Sequence, residues 1–209
     1  EQLLNSVLVA FATCTLVLFI ASTTSFALGR LKLRWAPMIS NMALFTYLIP
    51  SAFLAIPLYR VMGQYGILNK PWSLILALVA FATPYAIWVM RQYAESVPFE
   101  LDESARVDGA TVPQIFWHIY IPLIAPSLVA IGTYALLLAW NEYLYAFLFL
   151  SSEAKLTVPV MLGHFTTSED APWPLMMAAA TLVTLPVVVL FFFTQRFFVR
   201  GITMTGLKG

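Results

Sequence analysis

Two clusters of side chains in this sequence have the types and spacing to do chemistry. The first is Glu100, Asp102, Glu103, Arg106 and Asp108, five charges within nine positions, interleaved with the small residues Ser104, Ala105, Gly109 and Ala110. Charges of both signs are excluded from hydrocarbon, so this island lies outside a bilayer core. Acids at a helix start are favoured by the helix dipole, and small residues let a second backbone approach closely. The second cluster is Trp140-Asn141-Glu142-Tyr143-Leu144-Tyr145. Flat aromatic faces and directional polar groups suit a polyhydroxyl solute, and an acid inside an apolar span is a functional candidate by default. A structural hydrogen-bond knot between spans, or an interfacial aromatic belt, fits the same residues, and both readings stay open here. His118 lacks a partner for proton transfer and reads as a hydrogen-bonded surface group. His164, beside Gly163, has no second ligand nearby in sequence, so no metal site is expected. Cys14 lies in an apolar run and reads as a buried, inert thiol. No Ser-His-Asp set or carboxylate pair shares a membrane depth, which argues against an intramembrane hydrolase. No Gly-Lys pair occurs, hence no P-loop, and any energy from ATP has to come from another subunit.

The elements that position these clusters are membrane spans. The 209 residues are 61% hydrophobic and 10% charged, whereas soluble domains carry roughly a quarter charged residues. The net charge of +1 and the dispersed basic residues leave no electrostatic footprint for nucleic acid. A spanning helix needs about 20 apolar residues. Five stretches qualify: about Leu3 to Leu28, Met38 to Leu58, Trp72 to Met90, Tyr120 to Leu150 (long enough to tilt or break) and Trp173 to Phe193. Glu142 is expected to be the only formal charge inside them. Pro50, Pro57, Pro84, Pro126 and Pro186 lie within or near these spans. Such breaks persist where neighbouring helices or water satisfy the freed backbone groups, which favours a packed bundle with a cavity.

Orientation follows from Lys and Arg. Arg30, Lys32, Arg34, Arg91, Arg106, Arg196, Arg200 and Lys208 fall on one side, against Arg60, Lys70 and Lys155 on the other. The eight-to-three split puts the charged island and the C-terminus in the cytoplasm and Glu1 outside. A chain that starts outside implies an earlier span, so five spans of a six-span parent are expected here. Nothing resembles a cleavable secretory signal. The expected fold class is therefore an all-α polytopic membrane helix bundle. It forms one transmembrane domain over residues 1–209, with a cytoplasmic loop at about 94–119 and a cytoplasmic tail at about 196–209. Within the loop Pro98 can open a helix, Gly109 can end it and Pro113 can open another, giving two short helices at an angle, offered to a partner. Outside, Gly63 to Pro71 is a tight loop. Ser151 to Pro174 is polar and turn-rich, either a solvated connector or a surface for an external delivery protein. No internal repeat is visible, which counts mildly against a secondary transporter.

Glu103, Ala105, Asp108, Gly109 and Ala110, followed by Phe116, Ile119 and Pro122, resemble the EAA loop of ABC-importer permeases, with Ser104 where the second small residue is usually Ala. The Trp140–Tyr145 segment resembles the Trp-Asn-Asp/Glu-aromatic stretch of carbohydrate-type permeases. The tail from Gln195 through Arg200, Gly201 and Thr203 to Lys208 and Gly209 resembles their C-terminus. Over nearly its whole length the chain is similar to the inner-membrane permease subunit of a carbohydrate-type importer of the maltose-permease-like group. The resemblance implies the type I permease fold in a bacterial or archaeal cell membrane. It implies an ATPase-subunit interface of Glu103, Ser104, Ala105, Asp108, Gly109, Ala110, Phe116, Ile119, Pro122 and, in the tail, Gly206. Glu103 would pair with a basic group, Gly109 and Ala110 would permit close packing, Phe116 and Ile119 would anchor the loop, and Pro122 would open the fourth span. It implies a substrate path at Trp140, Asn141, Glu142 and Tyr145. The implied partners are a second permease subunit, two ATPase subunits holding ATP and Mg, an extracytoplasmic solute-binding protein, a sugar or polyol solute and membrane lipid. No cofactor, metal or catalytic residue is expected in this chain. A proton- or ion-coupled secondary transporter using Glu142 is the rival reading, but it leaves the EAA stretch unexplained. A non-transporting membrane scaffold is a second rival, and it predicts no solute dependence.

Overall fold

The apolar runs fold into helices in the expected order. The computed structural model describes residues 1–31, 33–166 and 173–205. In chain order these contain α1 (Gln2–Arg30), α2 (Ala36–Tyr47), a 3-10 turn (Ser51–Leu54), α3 (Ala55–Gln64), α4 (Pro71–Ser96), α5 (Glu100–Val107), α6 (Val112–Ile115), a π-helical turn (Phe116–Tyr120), α7 (Ile121–Leu123), α8 (Ala125–Trp140), α9 (Leu144–Phe149), a 3-10 turn (Glu153–Lys155), α10 (Val158–Thr166) and α11 (Trp173–Thr205). Lys32, Glu169, Asp170, Pro172, Gly206 and Lys208 lie outside the described residues.

Three of these helices, α1, α4 and α11, are long and apolar enough to cross a bilayer. Two more crossings arise if each bent pair counts as one: α2 with the segment to Gln64, bent by 84°, and the segment Val112–Leu123 with α8, bent by 77°. The second and fourth expected spans are thus broken. The first break precedes Pro50, which caps the 3-10 turn. The second falls at Ile124, and Pro126, not Pro122, occupies the first turn of the long helix. Pro122 lies before the bend, in α7, where a missing N–H disturbs little.

The core is built on α1. Ser6, Val9, Ala10, Thr13, Val17, Ala21, Ser22 and Ser25 are buried along it, recurring every three or four residues, so they share one face. The face packs on Leu74, Leu78, Ala82, Ala86 and Met90 of α4 and on Ile131, Ala135 and Ala139 of α8. Small residues let apolar helices approach closely, which supplies the association that lipid, itself apolar, does not. At the end of α1, a Cβ on Gly29 would sit 2.9 Å from the Cβ of Ala94 on α4, so only glycine fits. The far sides of α2, the 3-10 turn after it, α3 and α11 are apolar and exposed, with Phe45, Phe53, Ile56, Phe191 and Phe193 among the most open side chains.

Three helices outrun the expected spans, and the longest overrun is that of α11, which continues from Phe193 to Thr205. α4 continues to Ser96 and stops where Val97 becomes extended (φ −83°, ψ 128°), the conformation a following proline imposes. α1 continues to Arg30. Arg30, Arg91 and Glu95 therefore belong to long helices. Glu142 is not the only charge in a span: it is not helical at all, because α8 ends at Trp140 and Glu142 stands in the turn before α9.

Candidate functional site

The charged island forms a two-helix hairpin, α5 and α6, and local turn chemistry accounts for its shape. Glu100, Asp102 and Glu103 occupy the first turn of α5, at the positive end of its dipole. Gly109 ends it at φ +84°. Its N–H donates to the Arg106 carbonyl (3.1 Å) and the Ala110 N–H to the Ala105 carbonyl (2.9 Å), the paired bonds of a Schellman ending. Thr111 then starts α6 with a capping box, its N–H donating to Oε1 of Gln114 at 2.7 Å. His118 Nδ1 lies 3.1 Å from the Gln114 carbonyl.

Nine of the ten expected interface residues lie on this hairpin or its second leg, while Gly206 falls outside the described residues. Glu103, Ser104, Asp108 and Gly109 are exposed, and Ala105, Ala110 and Ile119 are half-buried against the core. The Ser104 hydroxyl donates to the Glu100 carbonyl. Phe116 is buried, with its ring 5.2 Å from that of Phe26 on α1. Pro122 is exposed. Among the described residues, none beyond its chain neighbours lies within 4 Å of a Cβ built at Gly109, so glycine is favoured there by the backbone angle and not by crowding.

Two residues of the hairpin region escape sequence reasoning. Val107, at the tip, is 88% exposed. An apolar residue inside a polar island is its only signal. Arg30 counts in the sequence merely as a positive charge, but in the structure it is 2% exposed and fully engaged. Its Nε and one terminal nitrogen donate to the two carboxylate oxygens of Asp102 at 2.9 and 2.7 Å. The terminal nitrogens also donate to the carbonyls of Ala94 (3.3 Å), Val97 (2.6 Å) and Pro98 (3.1 Å). The guanidinium carbon lies 4.6 Å from the Phe99 ring centroid.

The second candidate is a cleft of about 470 Å³, bordered by Tyr47, Pro50, Ser51, Phe81, Pro84, Leu138 and Glu142, a size typical of small-molecule sites. The four expected path residues do not converge on it. Glu142 borders it, half-buried, and Oε1 accepts the Tyr145 N–H at 2.9 Å, in the first turn of α9. Tyr145 is buried, 5.0 Å from the cleft residue Phe81 ring to ring, and donates its hydroxyl to the Ser51 carbonyl at 2.5 Å. That bond satisfies a carbonyl at the break beyond α2. Asn141 is exposed and donates to the Leu137 carbonyl at 2.8 Å. Trp140 faces the opposite way, into an apolar niche with Ala10, Phe11 and Pro186. The ring of Tyr85 stacks on that of Tyr47 at 5.3 Å and meets that of Tyr134 tilted at 4.9 Å, and Tyr47 opens on the cleft. These tyrosines lie on three different helices, and no spacing in the sequence joins them.

A bundle of long and broken apolar spans, with a glycine-ended two-helix hairpin and a cleft where the spans break, is the architecture of an ABC-importer permease. The chain belongs to the family described as binding-protein-dependent transport system inner membrane component, which matches residues 21–204. It is 32% identical over 205 residues, 98% of this chain and 73% of the relative, to the inner membrane ABC transporter permease protein YcjP of Escherichia coli K12. It is 30% identical, over 100% of this chain and 77% of the relative, to the trehalose transport system permease protein SugB of Mycobacterium tuberculosis. The arabinooligosaccharides transport system permease protein AraQ of Halalkalibacterium halodurans is 32% identical over 98% of this chain and 73% of its own length. Among solved structures, a chain of the MetNI methionine ABC transporter in inward-facing conformations superposes with a TM-score of 0.73, at 16% identity over 93% of this chain and 92% of that one, a likeness of fold. The ion-coupled reading of Glu142 finds no support among these relatives.

Proposed function

We propose that this chain is the permease subunit of an ATP-driven importer of a sugar or related polyol, working with a second permease, two separate ATPase subunits and an extracytoplasmic solute-binding protein. The relatives named for trehalose and arabinooligosaccharide transport support the solute class. The excess of Lys and Arg on one side supports a cytoplasmic hairpin and tail. The hairpin is the observation that carries the proposal: a stiff, capped, exposed pair of helices with an apolar tip at Val107 fits a groove on a motor subunit. Packed interfaces of this kind switch between arrangements and so transmit displacement. ATP and Mg act on the ATPase subunits. The cleft beside Glu142 is the solute path, closed on its open side by the second permease against the exposed faces of α2 and α3.

The test is co-purification followed by reconstitution. An ATPase should come down with this chain, and its turnover should rise when solute-loaded binding protein is added. Gly109→Glu should abolish that rise and the import it drives, because the left-handed angle at Gly109 disfavours any side chain and a carboxylate would enter the docking surface. Normal import by Gly109→Glu with an intact ATPase contact would refute the coupling assignment.

A further inference from the structure

Both legs of the hairpin are fastened to the same short stretch of α1. On the first leg, Asp102 of α5 is bound through both oxygens to Arg30. On the second leg, Phe116 and Tyr120 pack on Phe26 at 5.2 and 5.0 Å, and the Tyr120 hydroxyl lies 2.9 Å from that of Ser25. The covalent route from α5 into the bundle, by contrast, passes through Val97, Pro98 and Phe99 at the end of α4. That link is itself held from outside, since Arg30 takes the carbonyls of Ala94, Val97 and Pro98. Gly29 makes this reachable: its missing Cβ lets α1 lie against Ala94, which brings the next residue level with the last carbonyls of α4. A guanidinium presents five donors in a planar fork, and here that fork spans three elements at once.

We propose that Arg30 is the positioning residue that joins the coupling hairpin to α1, so that displacement of the hairpin moves the ends of α1 and α4 as one body. The inference rests on the proposed ATP-driven function. Its chemistry is that of a rigid joint. The bonds to the carboxylate are charge-assisted and bidentate, both side chains are almost fully buried, and the Phe99 ring covers one face of the guanidinium. A long flexible side chain at a surface would hold position poorly, but one with its fork fixed at both carboxylate oxygens and three carbonyls does not swing.

The test separates transmission from folding. An apolar pair of similar volume often replaces a buried ion pair with little loss of stability, so Arg30→Met/Asp102→Leu is made in the full importer complex and reconstituted in vesicles with loaded binding protein. ATP hydrolysed per solute imported should rise about tenfold in this variant, within the range of coupling between distant sites. Arg30→Lys, which keeps the charge but loses the fork, should raise the ratio less, about fivefold, the low end of the same range. The proposal is overturned if import and hydrolysis fall together in proportion to assembled complex, leaving the ratio at the wild-type value. It is equally overturned if neither variant yields a complex with the ATPase, for Arg30 would then serve assembly alone. Absence of ATP-dependent import by the wild-type complex would instead refute the proposed function.

Discussion

At the foot of α1, the side chains of Arg30 and Asp102 face each other at 1% and 4% exposure, with every donor direction taken up. At the end of α8, Glu142 is half-buried beside a cleft and accepts one backbone N–H. Both places bring charge to an apolar bundle, but the demands on them differ. The first is buried, so the charges have to be mutually satisfied, and satisfying them locks three elements together. The second is half-exposed on the cleft, so an acid without an ion-pair partner is tolerable there and keeps an open face. A buried pair is suited to holding parts in place, and a half-solvated acid to meeting something that comes and goes.

The largest effect expected from this contrast is on stability. Asp102→Leu leaves the Arg30 guanidinium buried without its carboxylate, and breaking a buried pair from one side costs about 3–5 kcal/mol. Denaturation of the detergent-solubilised protein should show that loss. Glu142→Ala removes a helix-start acceptor and costs about 1 kcal/mol. Equal losses for the two variants would erase the distinction between a locked charge and an open one.

A smaller effect is expected at the hairpin tip. Gly109 is at φ +84° with open space around it, so Gly109→Ala meets no clash and pays only the left-handed backbone penalty, about 1–2 kcal/mol. The loss should be local: amide exchange should quicken across 100–111 and stay unchanged in α1 and α4. Faster exchange spreading into α1 would mean that the tip and the Arg30 joint are one cooperative unit, and would sharpen the comparison in the opposite sense.

The hairpin could be read from sequence because its determinants are local. Pro98, Gly109 and Pro113 act within a few residues of themselves: α5 starts two residues after Pro98, Gly109 takes the left-handed ending and Pro113 stands in the first turn of α6. The apolar runs were readable for the same reason, since one residue's burial in a span depends mainly on its neighbours' hydropathy. The cleft was not readable. Its wall combines Tyr47, Phe81 and Glu142 from three separate parts of the chain. Trp140, expected on the substrate path, is the last residue of α8 and borders a niche with α1 and α11 rather than this cleft. Arg30 was hidden differently. As a basic residue at a span end it satisfies the orientation rule fully, and only the approach of α1 to Ala94, permitted by Gly29, shows that it is buried.

The smallest structural effect and the most informative functional one are expected from the same substitution, Glu142→Gln. The amide keeps a carbonyl oxygen where Oε1 accepts the Tyr145 N–H, so the start of α9 and the Tyr145–Ser51 bond across the cleft wall should persist. Stability should change by less than about 0.5 kcal/mol, as for substitutions that keep their hydrogen bonds. What disappears is the charge. Hydrogen bonds to an ionised acceptor are worth about 1.5–3 kcal/mol, against about 1 for a neutral one. A solute hydroxyl that donates to Glu142 should therefore lose affinity, by roughly 1 kcal/mol or about fivefold in the half-saturation of import. Import kinetics unchanged in Glu142→Gln but degraded in Glu142→Ala would assign the carboxylate to the α9 cap, and the cleft would then be a structural opening between helices with no direct hold on the solute.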